Sequence, residues 1–172
     1  EAGKMAVHPE PFVLRPFLAD LIHAHQKHAQ DKGLSLVLEV ADGSAEMLFT
    51  DSLRLRQALT NLINNAILHA FDNKAQGSIR VEACQREGEE IELKVSDDGC
   101  GIPPEHLNRI FDPFFTTKLG QGGSGLGLSI ANTIVNGMLG GSIEVKSTVG
   151  VGTTFILILP NVAPAAKEEH WS

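Results

Sequence analysis

Two adjacent aspartates, Asp97 and Asp98, follow an alternating apolar run and lead directly into two closely spaced glycines in the segment VSDDGCGIP (95–103). Glycine weakens a strand and neighbouring like charges repel each other, so this combination needs a reason. Either the segment is a tight, solvated turn, or it leaves the backbone open for a flat ligand while one carboxylate points at the ligand's edge. The segment alone does not decide between these two interpretations.

A second polar pattern lies in DSLRLRQALTNLINNAILHAF (51–71), where Gln57, Asn61 and Asn65 recur every four residues and share one side of a predicted helix. Asparagine is a poor residue for a helix interior because its side chain competes for backbone hydrogen bonds. The stripe is either a solvated helix face or a row of amides that faces a cleft and holds a hydrated cation. Mg²⁺ suits the second interpretation, since it keeps several waters and takes few protein oxygens when phosphates supply the others.

The third pattern is the glycine-rich segment LGQGGSGLGLSIANTIV (119–135), in which Gly120, Gly122 and Gly125 match GxGxxG literally. A dinucleotide-binding unit needs a strand before these glycines, and the preceding DPFFTTK is not strand-like. A P-loop is excluded because no Gly-Lys-Ser/Thr sequence follows. Bare amides at a helix N-terminus bind phosphate oxygens without any side chain. A phosphate-binding segment and a merely flexible loop are therefore the remaining alternatives.

The elements that must position these groups are helices mixed with mainly antiparallel strands. Three segments have helical spacing of their apolar residues: Pro16 to Lys32, a helix capped by Asp51 that runs to about Ala70, and the glycine-rich segment to about Met138. Strands are predicted at 34–40, at 79–83 and 91–95 as a hairpin, at 143–145 and at 153–159. This order predicts a two-layer α/β sandwich and not a doubly wound parallel sheet.

Composition excludes several classes of protein. The 172 residues, 42% of them hydrophobic, suffice for one domain with a substantial core, and the net charge of −7 disfavours a nucleic-acid-binding protein. Cys84 and Cys100 lack CxxC spacing, which fits a reducing, cytoplasmic location and neither a disulfide framework nor a zinc site. No apolar run approaches the roughly 18 residues of a membrane span. We expect linkers at 1–11 and 161–172 around a single domain at 12–160.

Five segments together resemble the sensor histidine kinases and follow one another in that family's order. They are NLINNA (61–66) as the N box, DDGCGIP (97–103) as the G1 box, IFDPFF (110–115) as the F box, GSGLGLSI (123–130) as the G2 box and GVGTTF (150–155) before the last strand. The resemblance covers about 12–160. It implies the Bergerat ATP-binding fold of the GHKL proteins, with a mixed, largely antiparallel sheet, helices on one face, and ATP between them under a flexible lid.

The resemblance also implies a role for each matching residue. Asp97 would accept a hydrogen bond from the adenine amino group, Asn65 would coordinate Mg²⁺, and Asn61 would face the phosphates and take part in catalysis. Many N boxes have a lysine where Leu68 stands, so Lys118, in the predicted lid at 112–124, is the candidate to meet the phosphate charge and assist catalysis. The other nucleotide contacts implied by position are His69, Gly99, Gly101, Ile102, Phe111, Gly122, Gly123, Ser124, Gly125, Leu126, Gly127, Leu128 and Thr154, the last through a water.

The implied function is that of a catalytic ATP-binding domain in two-component signalling. Such a domain presents the γ-phosphate to a histidine on its own dimerisation domain, and a response regulator or receiver domain receives the phosphoryl group afterwards. The acceptor motif of the family resembles HELRTPL, and the local HAHQKH (23–28) lacks its acid-Arg-Thr-Pro sequence. We therefore expect an excised domain of a homodimeric parent protein, which can itself be anchored in the inner membrane.

Three other classes of protein are alternatives. Anti-sigma serine kinases share the fold and resemble NAILHAF (65–71), but they generally have a glutamate where Asn61 stands. A hydrolytic ATPase of the gyrase or MutL kind also needs that glutamate as a general base, and an asparagine cannot abstract a proton. A regulatory ATP-binding module with little catalysis is the third alternative, which the full set of boxes disfavours.

Overall fold

The computed structural model describes residues 6–71, 76–116 and 125–164. The strands within those ranges are β1 (Glu10–Val13), β2 (Leu34–Val40), β3 (Met47–Thr50), β4 (Gly77–Arg86), β5 (Glu90–Asp97), β6 (Ser142–Thr148) and β7 (Gly152–Pro160). The helices are α1 (Leu14–Asp31), α2 (Ser52–His69), α3 (Pro104–Leu107) and α4 (Gly127–Thr133), which continues as a wider π-helical turn at Ile134–Met138.

The main sheet has five strands in the order β2-β4-β5-β7-β6, in which β2 and β4 are parallel and all other neighbours are antiparallel. Alternate residues of β5, namely Ile91, Leu93 and Val95, are buried, while the residues between them are partly exposed. Because side chains alternate across a sheet, the helices cover the face on which these three residues lie. This two-layer arrangement confirms the predicted fold class.

The helix α2 carries the polar stripe on one side and a buried apolar face on the other. Leu55, Leu59 and Leu62 on that face are fully buried in the core. The helix starts where the sequence predicted, because the buried carboxylate of Asp51 accepts a hydrogen bond of 3.0 Å from the backbone N–H of Arg54. No helix within the described ranges is both long and apolar enough to span a membrane.

A small second sheet was not predicted. β1 pairs antiparallel with β3, and the chain returns beside β3 after β7, where Phe49 donates to the carbonyl of Asn161 at 2.8 Å and accepts from the N–H of Ala163 at 2.6 Å. Residues 10–11 and 161–163, which the sequence analysis placed in linkers, therefore pair within the folded domain. Both strands have only four residues, β1 contains a proline, and they pair over a long sequence distance, so no local periodicity reveals them.

Candidate active site

A cavity of about 500 Å³ opens between α2, the loop after β5, α3 and the start of α4. This volume and a mainly apolar lining with a few polar groups are typical of sites for small molecules and cofactors. The lining residues are Asn61, Asn64, Asn65, Leu68, His69, Cys100, Gly101, Ile102, Pro103, His106, Ile110, Phe115, Thr116, Gly125, Gly127, Leu128 and Val149.

One side of the cavity, the α2 wall, is formed by Asn61, Asn64, Asn65, Leu68 and His69. The side-chain amide of Asn61 donates to the carbonyl of Gly127 at 3.1 Å, which ties α2 to the start of α4.

Two members of the predicted stripe thus face the cavity and the third does not. Gln57 accepts a hydrogen bond of 3.0 Å from the guanidinium of Arg54 and is not among the lining residues. Asn64 was missed, although its position three residues after Asn61 places it on the same side of the helix.

The glycines after β5 allow a close approach of the protein's own backbone. A Cβ on Gly99 would lie 2.1 Å from the carbonyl oxygen of Ala70, and one on Gly101, whose φ is +74°, would lie 2.3 Å from that of Thr148. The N–H of Cys100 between them donates to Ala70 at 2.7 Å. The prediction from sequence is that these glycines leave the backbone open beside a ligand. Gly101 lines the cavity and Gly99 does not, so the packing of the loop explains both residues.

Asp97 ends β5 on the face that the helices cover, and it is half-buried. Its carboxylate accepts a hydrogen bond of 3.0 Å from the N–H of Gly99, which orients the side chain locally. Asp97 is not among the residues that line the cavity, which instead include Cys100, Gly101, Ile102 and Pro103 of the loop that follows. Asp98 is exposed, as expected, and its carboxylate accepts from the N–H of Ser78 at 2.8 Å.

The register of the strands corrects one predicted contact. Residues directly opposite each other on antiparallel strands project from the same face, and Asp97 pairs with Thr153. Thr154 pairs with Ser96 on the opposite face, where the two hydroxyls are 3.1 Å apart. Thr154 therefore cannot share a site with Asp97 through this sheet. The residue in a position to do so is Thr153, which is buried.

Asp97, Ile102, Ser147, Gly152 and Thr153 form a group of residues that we term the strand-end cluster. Ser147 lies at its centre, because its hydroxyl oxygen is 2.8 Å from the N–H of Ile102 and 2.8 Å from the hydroxyl of Thr153. It is also 3.1 Å from the carbonyl oxygen of Gly152. This cluster joins the ends of three strands to the loop that lines the cavity.

The aromatic residues of the F box have different positions. Phe111 packs against Phe155 with ring centroids 6.4 Å apart and is not a lining residue, and its nucleotide contact stays a prediction. Phe115 lines the cavity, with the ring of His106 at 5.3 Å and the guanidinium of Arg109 at 4.7 Å from its centre. The lining positions of His106, Phe115 and Thr116 were not predicted. Phe115 and Thr116 lie within the predicted lid at 112–124, and its aromatic residues were the available signal.

The glycines that begin α4 meet the F box directly. The N–H of Phe114 donates to the carbonyl of Gly125 at 2.7 Å, and a Cβ on Gly125 would lie 2.4 Å from the backbone of Phe114. Gly125, Gly127 and Leu128 line the cavity, whereas Leu126 does not. Four predicted site residues lie outside the described residues: Lys118, Gly122, Gly123 and Ser124.

The chain matches the sequence profile of the histidine kinase-, DNA gyrase B- and HSP90-like ATPases over residues 50–163, which is more than half of its length. It is 37% identical over 167 residues to the autoinducer 2 sensor kinase/phosphatase LuxQ of Vibrio cholerae, covering 93% of this chain and 19% of that protein. It is 36% identical over 174 residues to the aerobic respiration control sensor protein ArcB of Escherichia coli, covering 98% of this chain and 22% of that protein. The chain thus spans about a fifth of the length of these relatives.

Solved structures lead to the same family. The catalytic domain of histidine kinase ThkA superposes with a TM-score of 0.77 at 27% identity, covering 90% of this chain and 97% of that one. Full-length ShkA in complex with AMPPNP superposes with a TM-score of 0.82 at 27% identity, covering 96% of this chain and 34% of that one. The chain therefore belongs to the family of histidine kinase-, DNA gyrase B- and HSP90-like ATPases, in which its fold matches the catalytic domains of histidine kinases.

Proposed function

We propose that this chain is the ATP-binding catalytic domain of a sensor histidine kinase, and that it presents the γ-phosphate of ATP to a histidine on a separate dimerisation domain. The observation that carries the proposal is the cavity beside the α2 wall, in which amides at Asn61 and Asn65 face the loop that follows Asp97. This arrangement occurs in a chain that is 37% identical to a sensor kinase over 93% of its length.

Adenine specificity is assigned to Asp97. Its carboxylate can accept a hydrogen bond from the exocyclic amino group of adenine, and guanine carries an oxygen at the same edge of the ring. A carboxylate oxygen opposite that oxygen would meet a second acceptor in place of a donor, which disfavours GTP. The hydrogen bond from Gly99 holds the carboxylate in position before any ligand binds.

Asn65 is assigned to Mg²⁺, which enters with the nucleotide. Within the described ranges no group of three or more His, Cys, Asp or Glu could hold a metal ion. A single amide oxygen on the cavity wall nevertheless fits Mg²⁺, because phosphates and waters complete its shell. When bound, Mg²⁺ neutralises part of the phosphate charge.

The α2 wall favours transfer to a protein acceptor over hydrolysis. The amide of Asn61 bonds the carbonyl of Gly127 and has no basic group with which to activate a water. In phosphoryl transfer the protein contributes mainly positioning and charge stabilisation, which amides and backbone groups can supply. Lys118 remains our candidate for an additional positive charge.

The partners in this proposal are the dimerisation domain of the parent protein, which we expect to be a homodimer, and a response regulator or receiver domain. ThkA, in complex with the response regulator TrrA, superposes on this chain with a TM-score of 0.76 at 25% identity. The net charge of −7 supports the absence of nucleic acid from this list.

The test is a phosphorylation assay with radiolabelled ATP. The chain alone should bind ATP without labelling itself, because it lacks the family's acceptor motif, and labelling should appear when the helical hairpin of its parent is added. Transfer should depend on concentration, since the chain and the added hairpin are separate molecules in this assay. Stoichiometric acid-labile label on the chain alone would contradict the proposal. Acid-stable label on a serine of an added partner would instead favour an anti-sigma kinase.

A further inference from the structure

The hydroxyl of Ser147 has three polar neighbours but only one proton to donate. The N–H of Ile102, at 2.8 Å, can only donate to it, and the carbonyl of Gly152, at 3.1 Å, can only accept from it. The hydroxyl of Thr153, at 2.8 Å, can do either. A serine hydroxyl offers one donor and two lone pairs. Only one arrangement of the protons therefore uses both the single donor and the two lone pairs of Ser147.

In that arrangement Ser147 donates to Gly152 and accepts from both Ile102 and Thr153. The hydroxyl of Thr153 then donates its only proton to Ser147, so its oxygen can only accept further hydrogen bonds. In the reverse arrangement Ser147 donates to Thr153, and the carbonyl of Gly152 loses this partner. Buried polar groups that lose a partner cost free energy, which favours the first arrangement.

We propose that Ser147 is a positioning residue for base recognition, because it fixes the hydroxyl of Thr153 as a hydrogen-bond acceptor on the face that carries Asp97. The strand-end cluster then offers only hydrogen-bond acceptors to the edge of the nucleotide base, either directly or through a water. Such an edge suits the amino group of adenine and does not suit the 6-oxygen of guanine. This inference rests on the proposed binding of ATP and adds a residue to which the family resemblance assigned no role.

The experiment compares the dissociation constants of ATP and GTP, measured by calorimetry, in four proteins. In Ser147→Ala the hydroxyl of Thr153 regains its rotation and can donate to guanine. The preference for ATP over GTP should therefore narrow about fivefold, the factor that corresponds to one neutral hydrogen bond. Ser147→Thr keeps the hydroxyl and should restore the wild-type preference. Ser142→Ala is the matched control, since it removes an exposed serine from the other end of β6.

A double-mutant cycle separates positioning from a general loss of order. Thr153→Val removes the hydroxyl of Thr153 at nearly constant side-chain volume. Adding Ser147→Ala to this variant should therefore narrow the preference for ATP over GTP no further. An unchanged ATP preference in Ser147→Ala, or fully additive losses in the double variant, would overturn the inference. If Ser147→Ala does not fold, an unchanged preference in Thr153→Val overturns it equally. Failure of the wild-type chain to bind ATP would instead contradict the proposed function.

Discussion

The two sides of the candidate site are built in different ways. The α2 wall belongs to a single helix, and Asn61, Asn65 and His69 follow one another along it at the spacing of about one turn. The strand-end cluster brings together groups from β5, β6, β7 and the loop after β5, which cross-strand pairing and the three contacts of Ser147 hold together. Substitutions in the wall should therefore act singly, whereas substitutions in the cluster should affect several groups at once.

Gly152→Ala should have the largest effect, because it disturbs the cluster through the backbone. Gly152 has a φ of +140°, and a Cβ there would lie 2.0 Å from the carbonyl oxygen of Asp97. We expect a loss of stability on the order of 3 kcal/mol or more, with weaker ATP binding in any protein that folds. Chemical denaturation followed by circular dichroism measures this loss.

Gly150→Ala, in the same turn, is the matched control for that clash. Gly150 also has a positive φ, of +81°, but a Cβ there meets no atom within 4 Å among the described residues. Its substitution should cost only the conformational strain, about 1–2 kcal/mol. Equal losses in the two variants would show that the clash with Asp97 is unimportant.

Asp97→Ala should have the next largest effect, on affinity and not on folding. The lost hydrogen bond to a charged acceptor is worth roughly 1.5–3 kcal/mol, so ATP affinity should fall about ten- to hundredfold in calorimetry. Asp98→Ala is the control, since that carboxylate is exposed and accepts a hydrogen bond from the backbone N–H of Ser78. Unchanged ATP affinity in a folded Asp97→Ala protein would remove Asp97 from the site.

Asn65→Ala tests the α2 wall, where a single change should remove a single contact. Affinity for Mg²⁺-ATP should fall about tenfold, while affinity for ATP measured with a chelator should change little, because the lost ligand acts through the metal. Gln57→Ala is the control, since it belongs to the same stripe but bonds Arg54 away from the cavity. Equal losses with and without Mg²⁺ would mean that Asn65 supports the fold only.

The difference between the wall and the cluster also explains what the sequence could predict. The period of a helix is local, so the stripe placed Asn61 and Asn65 correctly at the cavity and Asp51 at the N-terminus of α2. The strand-end cluster also depends on the pairing of β5 with β7, more than fifty residues apart in sequence, which no local pattern encodes. Gly99 and Gly101 could be recognised as unusual, but the carbonyls that require them are contributed by distant residues.

The choice between Thr153 and Thr154 gives the smallest expected effect and the finest test. Side chains alternate between the faces of a strand, so an error of one residue moves a predicted contact to the opposite face. Thr154→Val should change ATP affinity by less than about twofold. Thr154 lies away from the site and valine is a good strand-forming residue, so the substitution has little effect. Thr153→Val should weaken ATP about fivefold through its lost acceptor. Calorimetry on both variants measures the two ATP affinities. A larger loss of affinity in Thr154→Val would mean that the nucleotide reaches β7 from the other face. The pairing of Asp97 with Thr153 would then not define the site.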